Sequence, residues 1–264
     1  MFLEIAFLAL LILGLCVLSY RGAIHEFQVL QKDYVAADDD AQPWSELLSE
    51  DLPVVVRGIP RAWSGGWNAR LTSAKNWTTI VRNAEGRKLR TTWANWLATP
   101  APRPQPENAA ALGAAARLSH AIASWTADGF RRWSWLPPAC PTPAVLGRDA
   151  FLGVQKTAAQ FTVVVATDGA PCELWIAHEG AVPADVCNDL IGLNPWIQTT
   201  AEIPWIDSVK YIEIKLRPGN AVAIPRHWWY AVRSSCDDDA WLWVGEFHTP
   251  VSWMATAARR APKN

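Results

Sequence analysis

The chain has 264 residues, half of them hydrophobic, with 24 basic and 25 acidic side chains and a formal net charge of -1. That length supports one good-sized core with a small extension. The near-neutral balance lacks the electrostatic footprint of a polyanion binder, so nucleic acid is not an expected partner. Seventeen tryptophans are spread from Trp44 to Trp253. Scattered large aromatics fit a β-rich core better than a clustered stacking platform for sugars or bases.

Ile5 to Leu18 is an unbroken apolar run. With its flanks, Met1 to Tyr20 makes a helix of roughly 30 Å, enough to span a bilayer core. A cleaved signal peptide is the competing reading. Glu4 in place of a basic n-region, and Arg21 where a small-x-small site belongs, argue for an uncleaved anchor instead. Arg21 and Lys32 follow the run, and the positive-inside rule then expects the main domain in the cytoplasm. The expected partners are therefore a membrane, through Met1–Tyr20, and an unidentified protein or small-molecule ligand.

From residue 25 to 150 the reading is a front part. Trp44 to Leu48 reads as a short helix, and Leu52 to Gly58 as a β-branched strand ending in glycine. Leu71 to Val81 and Thr91 to Leu97 read as helices, with Trp77, Ile80 and Val81 on one face of the first. Pro100, Pro102, Pro104 and Pro106 give an extended connector. Asn108 to Thr126 reads as an Ala-rich helix, and Pro137 to Pro143 as irregular. Of the five cysteines, Cys16 lies in the apolar N-terminus. Cys140, Cys172, Cys187 and Cys236 show no zinc-like spacing and read as buried thiols, with disulfides as the alternative.

Residues 151–250 read as a barrel core and 251–264 as a frayed tail. Phe161–Ala166 and Cys172–Ala177 read as strands joined through a turn at Thr167-Asp168-Gly169. Val182 to Ile206 is a long connection. Val209–Leu216, Ala221–Ile224, Trp228–Val232 and Trp241–Phe247 complete the strands, with Pro218-Gly219 as turn chemistry. Together with Val54–Arg57 these strands are expected in one antiparallel barrel-like sandwich, with Tyr211–Leu216 sharing a sheet with Trp241–Phe247.

Pro218-Gly219-Asn220, then Ile224-Pro225, then Trp228-Trp229-Tyr230-Ala231-Val232 resembles the distal end of a JmjC-like cupin barrel. Val54-Val55-Val56-Arg57-Gly58 resembles the start of such domains. The resemblance implies a mainly β fold with helical additions: a double-stranded β-helix (cupin or jelly-roll) barrel preceded by helices and the transmembrane segment. Active members of that family are Fe(II)/2-oxoglutarate hydroxylases or demethylases. Their distal iron ligand is a histidine where this chain has Tyr230. Their proximal His-x-Asp or His-x-Glu has no counterpart between Phe151 and Ala166, which contains no His, Asp or Glu. No cofactor is therefore expected, and the reading is a binding or structural module without catalytic residues. Trp175, Lys215, Trp228, Trp229 and Tyr230 are its candidate pocket-lining residues. The alternative is a dioxygenase using Fe(II) and 2-oxoglutarate with a relocated ligand set drawn from His178, Glu179, His227 and His248, and with Lys215 on a 2-oxoglutarate carboxylate.

Overall fold

The computed structural model describes residues 7, 11, 28–33, 51–59, 75–82, 87–99, 108, 151–157, 159–183, 185–186, 189–234, 240–249 and 252. The expected helix at 44–48, the proline segments, the tail from 257, and Cys16, Cys140, Cys187 and Cys236 lie outside these residues. So do the helix at 108–126 apart from Asn108, and the 1–20 run apart from Phe7 and Leu11, which are helical and exposed. Among the described residues no helix is long and apolar enough to cross a membrane.

The described fold is mainly β. Its strands are β1 (Leu30–Asp33), β2 (Val54–Arg57), β3 (Thr78–Arg82), β4 (Lys88–Thr92), β5 (Phe151–Lys156), β6 (Phe161–Gly169), β7 (Cys172–His178), β8 (Ile212–Leu216), β9 (Ala221–Pro225), β10 (Trp228–Ser234) and β11 (Ala240–Phe247), with one α-helix, α1 (Trp93–Ala98). A first sheet has the order β1-β2-β9-β6-β11, a second the order β5-β10-β7-β8, and β3 and β4 form a separate pair. Within the two main sheets every pairing is antiparallel except β1 with β2.

Alternation along each strand builds three cores. Between the sheets lie Val55, Val164, Val222, Ile224, Leu242 and Val244 from the first sheet and Leu174, Ile176, Trp228, Tyr230 and Val232 from the second. The outer face of the first sheet, with Val163, Val165, Trp241 and Trp243, is covered by Val81, Trp93 and Trp96. Thr92 caps α1 by accepting from the Asn95 amide at 3.2 Å. Spacing i, i+3 then stacks Trp93 on Trp96 at 4.6 Å, with Trp241 6.0 Å from Trp93. The outer face of the second sheet, with Trp175, Ala177, Trp229 and Ala231, is covered by the connection after β7 through Val182, Val186, Leu190, Ile206 and Val209. Each of these fully buried aliphatic side chains stabilises the fold by about 1.5–3 kcal/mol relative to exposure. The Cys172 thiol is also buried, 4.0 Å from the Ala170 carbonyl oxygen.

Four expectations are corrected. Leu71–Val81 is not a helix at its described C-terminal end, because Thr78 to Val81 belongs to β3. Four consecutive β-branched residues favour the pleated surface, and burial alternates, with Thr79 and Val81 buried. For the same reason Thr91 and Thr92 end β4, and the helix starts at Trp93. The chain turns not at Thr167-Asp168-Gly169, which β6 includes, but at Ala170-Pro171. Finally, Tyr211–Leu216 and Trp241–Phe247 do not share a sheet: β8 is an edge of the second, β11 an edge of the first. Pro218-Gly219 is a crossing between sheets and not a hairpin within one. Gly219, at φ 83°, accepts from the Ile59 amide at 2.8 Å and donates to the Ala166 carbonyl at 2.9 Å. A side chain at that φ would be strained.

Candidate functional site

The position of interest in the sequence is Tyr230, and β10 decides where it points. Trp228, Tyr230 and Val232 face the inter-sheet core, whereas Trp229 and Ala231 face the outer one. Tyr230 is paired with Ile176 on β7 and with Gln155 on β5. Its hydroxyl donates to the Gln155 side-chain oxygen at 3.0 Å. Burial pushes the phenol pKa far above its ordinary value, and the Glu246 carboxylate adds to the shift. The group is therefore a neutral donor at every physiological pH.

Further polar side chains share this end of the interior. Thr162 on β6 lies on the same face as Val164 and is paired with Glu246 on β11. Its hydroxyl is fully buried and has no hydrogen-bond partner among the described residues. Glu246 Oε2 lies 3.3 Å from His248 Nε2, and His248 Nδ1 lies 3.3 Å from Ser252 Oγ.

A second polar group sits at the ends of β5, β7 and β9. Glu179 bonds Lys156 through one carboxylate oxygen and His227 Nδ1 through the other, the latter at 2.9 Å. The His227 bond, then the hydrogen bond and charge of Lys156, outweigh burial and hold the Glu179 carboxyl at about 2. The Lys156 ammonium also lies 5.3 Å from the Trp229 ring centroid. His227 itself has φ 68°, set where the chain crosses from β9 to β10. His178 Nδ1 accepts from the Gly180 amide at 3.1 Å, and its ring meets Trp228 edge-on at 5.2 Å.

The five pocket-lining candidates thus occupy three places. Trp228 and Tyr230 point between the sheets. Trp175 and Trp229 point to the opposite face, where Trp175 tilts against Tyr211 at 5.6 Å. Lys215 is exposed on the edge strand β8. Of the four fallback ligands, Glu179 and His227 are in contact and His178 adjoins them, while His248 belongs with Glu246. Both Glu179 oxygens are already engaged. Among the described residues no group of three His, Cys, Asp or Glu side chains is placed to hold a metal ion.

Gln155, Lys156 and Glu246 carry these clusters and were not singled out from the sequence. Glu246 had a signal: it is the one charged residue in the apolar strand Ala240–Phe247. Gln155 had none, since its role depends on Tyr230, 75 residues away. No protein-family model matches the chain, and no curated protein matches it.

Proposed function

We propose that this chain is a binding module without iron chemistry, built on a double-stranded β-helix and anchored in a membrane by residues 1–20. Support for the β-helix reading comes from the order in which the chain visits its sheets. β5 lies in the second sheet, β6 in the first, β7 and β8 in the second, β9 in the first, β10 in the second and β11 in the first. That interleaving is what a jelly roll requires. The anchor reading rests on the apolar run Ile5–Leu18.

The observation that carries the functional reading is the hydrogen bond from Tyr230 to Gln155. Under the JmjC-like resemblance, Tyr230 occupies the distal-ligand position and the proximal ligands would lie between Phe151 and Ala166, where β5 and β6 offer Gln155 and Thr162. The donor set there does not fit Fe(II). A phenol locked in its protonated form, an amide and a threonine hydroxyl are weak ligands beside the imidazoles and carboxylate such an iron site uses. The buried Tyr230 hydroxyl is already satisfied by Gln155, whose own side chain reaches the surface. Glu246 with His248 offers at most one carboxylate and one imidazole, already paired with each other.

The test is an anaerobic Fe(II) titration of the full chain with 2-oxoglutarate, followed by oxygen exposure. No stoichiometric binding and no 2-oxoglutarate consumption are expected. Stoichiometric iron held by two or more of His178, Glu179, His227 and His248, with turnover, would restore the oxygenase reading.

A further inference from the structure

The two sheets do not close on each other everywhere. A cleft of about 470 Å³ opens where β1 and β2 of the first sheet face β8 of the second. That volume lies within the range of small-ligand sites. The cleft has a direction. Along β2 the lining runs from Val55 to Arg57, and along β8 from Ile212 and Ile214 to Lys215 and Arg217. Both strands run toward one crossing, Pro218–Asn220, because the Ile59 amide donates to the Gly219 carbonyl at 2.8 Å and the Gly58 amide to Asn220 Oδ1 at 3.3 Å. The cleft is therefore apolar along Val55, Ile212 and Ile214 and carries Arg57 and Arg217 at the crossing, with Lys215 and Glu213 at its rim on the other face of the edge strand β8.

Among the described residues the cationic end is neutralised from within only at Arg57. Asp33 pairs with Arg57 at 3.0 Å. Among the described residues neither Lys215 nor Arg217 forms an ion pair, and both are exposed. The one acid in the lining, Glu213, is held by the Trp196 indole N–H at 3.0 Å.

We propose that this cleft binds a small amphipathic anion, its head on Arg217 and Arg57 with Lys215 at the rim, and its hydrocarbon on Val55, Ile212 and Ile214. A planar guanidinium matches a carboxylate or phosphate oxygen pair, and the apolar end removes the tail from water. The inference is independent of the iron reading: it rests on the open edge of the sandwich and stands whether or not the barrel interior takes a metal.

Calorimetry on the purified full chain tests it, with octanoate and octyl phosphate as anions and octanol and octylammonium as neutral and cationic matches. One or both anions should bind saturably, about tenfold or more tighter than octanol or octylammonium. The double variant Lys215→Gln/Arg217→Gln should lose about tenfold or more in anion affinity with an unchanged unfolding midpoint, since both side chains are exposed and no like charge is set against Glu173. Ile214→Asn, on the apolar half, should weaken octanoate binding and leave its salt dependence in place. Equal binding of octanol and octanoate, an unchanged affinity in the double variant, or no saturable anion binding would each overturn the proposal. The preference between octanoate and octyl phosphate identifies the head group.

Discussion

Tyr230 and Gln155 face each other as paired residues of β10 and β5, and their side chains meet at 3.0 Å. Among the described residues β10 is the strand partner of the edge strand β5, and the bond ties the buried Tyr230 hydroxyl to an exposed side chain at the rim of the inter-sheet core. Tyr230→Phe leaves the Gln155 amide oxygen without its donor. Gln155 is exposed and water can replace the lost donor, so a loss of about 0.5–1.5 kcal/mol is expected in urea denaturation. The double variant Tyr230→Phe/Gln155→Leu should lose less than the sum of the two single changes, because both partners then become apolar. Strict additivity would mean that the bond contributes nothing.

Glu179 carries a pH dependence of defined sign. Its carboxyl is held at about 2, below the ordinary carboxylate value of 4.5. A depressed folded-state pKa adds stability that is fully present above the unfolded value and is lost as pH falls through the folded one. Wild type should therefore lose stability from about pH 4.5 down to about pH 2, and Glu179→Gln should flatten that part of the profile. The carboxylate is 35% exposed, so screening reduces the amplitude. Parallel acid limbs in the two proteins would show that Glu179 is not the responsible group.

Two glycines make opposite local predictions. A β-carbon on Gly245 would lie 2.1 Å from the Trp243 ring, which is buried against α1. Gly245→Ala should cost about 1–3 kcal/mol through displacement of that indole, read as a shift in the near-ultraviolet tryptophan signal. A β-carbon on Gly153 would lie 2.4 Å from the Gly192 carbonyl oxygen, which is backbone and has no rotamer to change. Gly153→Ala should part the connection from β5. Hydrogen exchange should then accelerate at the Val154 and Gly192 amides, which now bond Leu193 and Val154 at 2.9 and 2.8 Å, and little elsewhere.

The proposed anchor predicts detergent partitioning. Full-length protein should enter the detergent-rich phase, and a chain beginning after Tyr20 the aqueous one. A mature N-terminus after Tyr20 in the native membrane fraction would sink the anchor reading in favour of a signal peptide.

Much of the barrel half is legible residue by residue. Ala221–Ile224 and Trp228–Val232 read as strands because Pro225 interrupts an apolar, aromatic run. The structure extends them only to Pro225 and Ser234. Sheet membership is not legible in the same way. Pro218-Gly219 specifies a sharp turn, but whether the chain folds back beside β8 or crosses to the other sheet depends on Ala166 and Ile59, which receive the turn's backbone. In the front part, Trp77, Ile80 and Val81 fit a helical face, yet the β-branched run at Thr78–Val81 wins once Lys88–Thr92 is available to pair with it. At the candidate site Tyr230 is visible by its place after two tryptophans. Gln155 becomes its polar partner, and Thr162 reaches the same end of the interior, only through register, which no local pattern encodes.

The crossings between sheets also set when this protein can fold. Among the described residues β5 has one strand partner, β10, and β7 lies between β10 and β8, so the second sheet lacks its centre until Trp228–Ser234 exists. On a ribosome, β5, β6 and β7 emerge long before that point, carrying Val163 to Ala166 and Leu174 to Ala177 as unpaired apolar edges. Loop closure across these separations is slow, and unpaired strands of this kind associate with one another. Synthesis must therefore run past Ser234 before the apolar strands are protected. Soluble yield should respond to chaperone supply more than to changes that merely stabilise the finished sandwich.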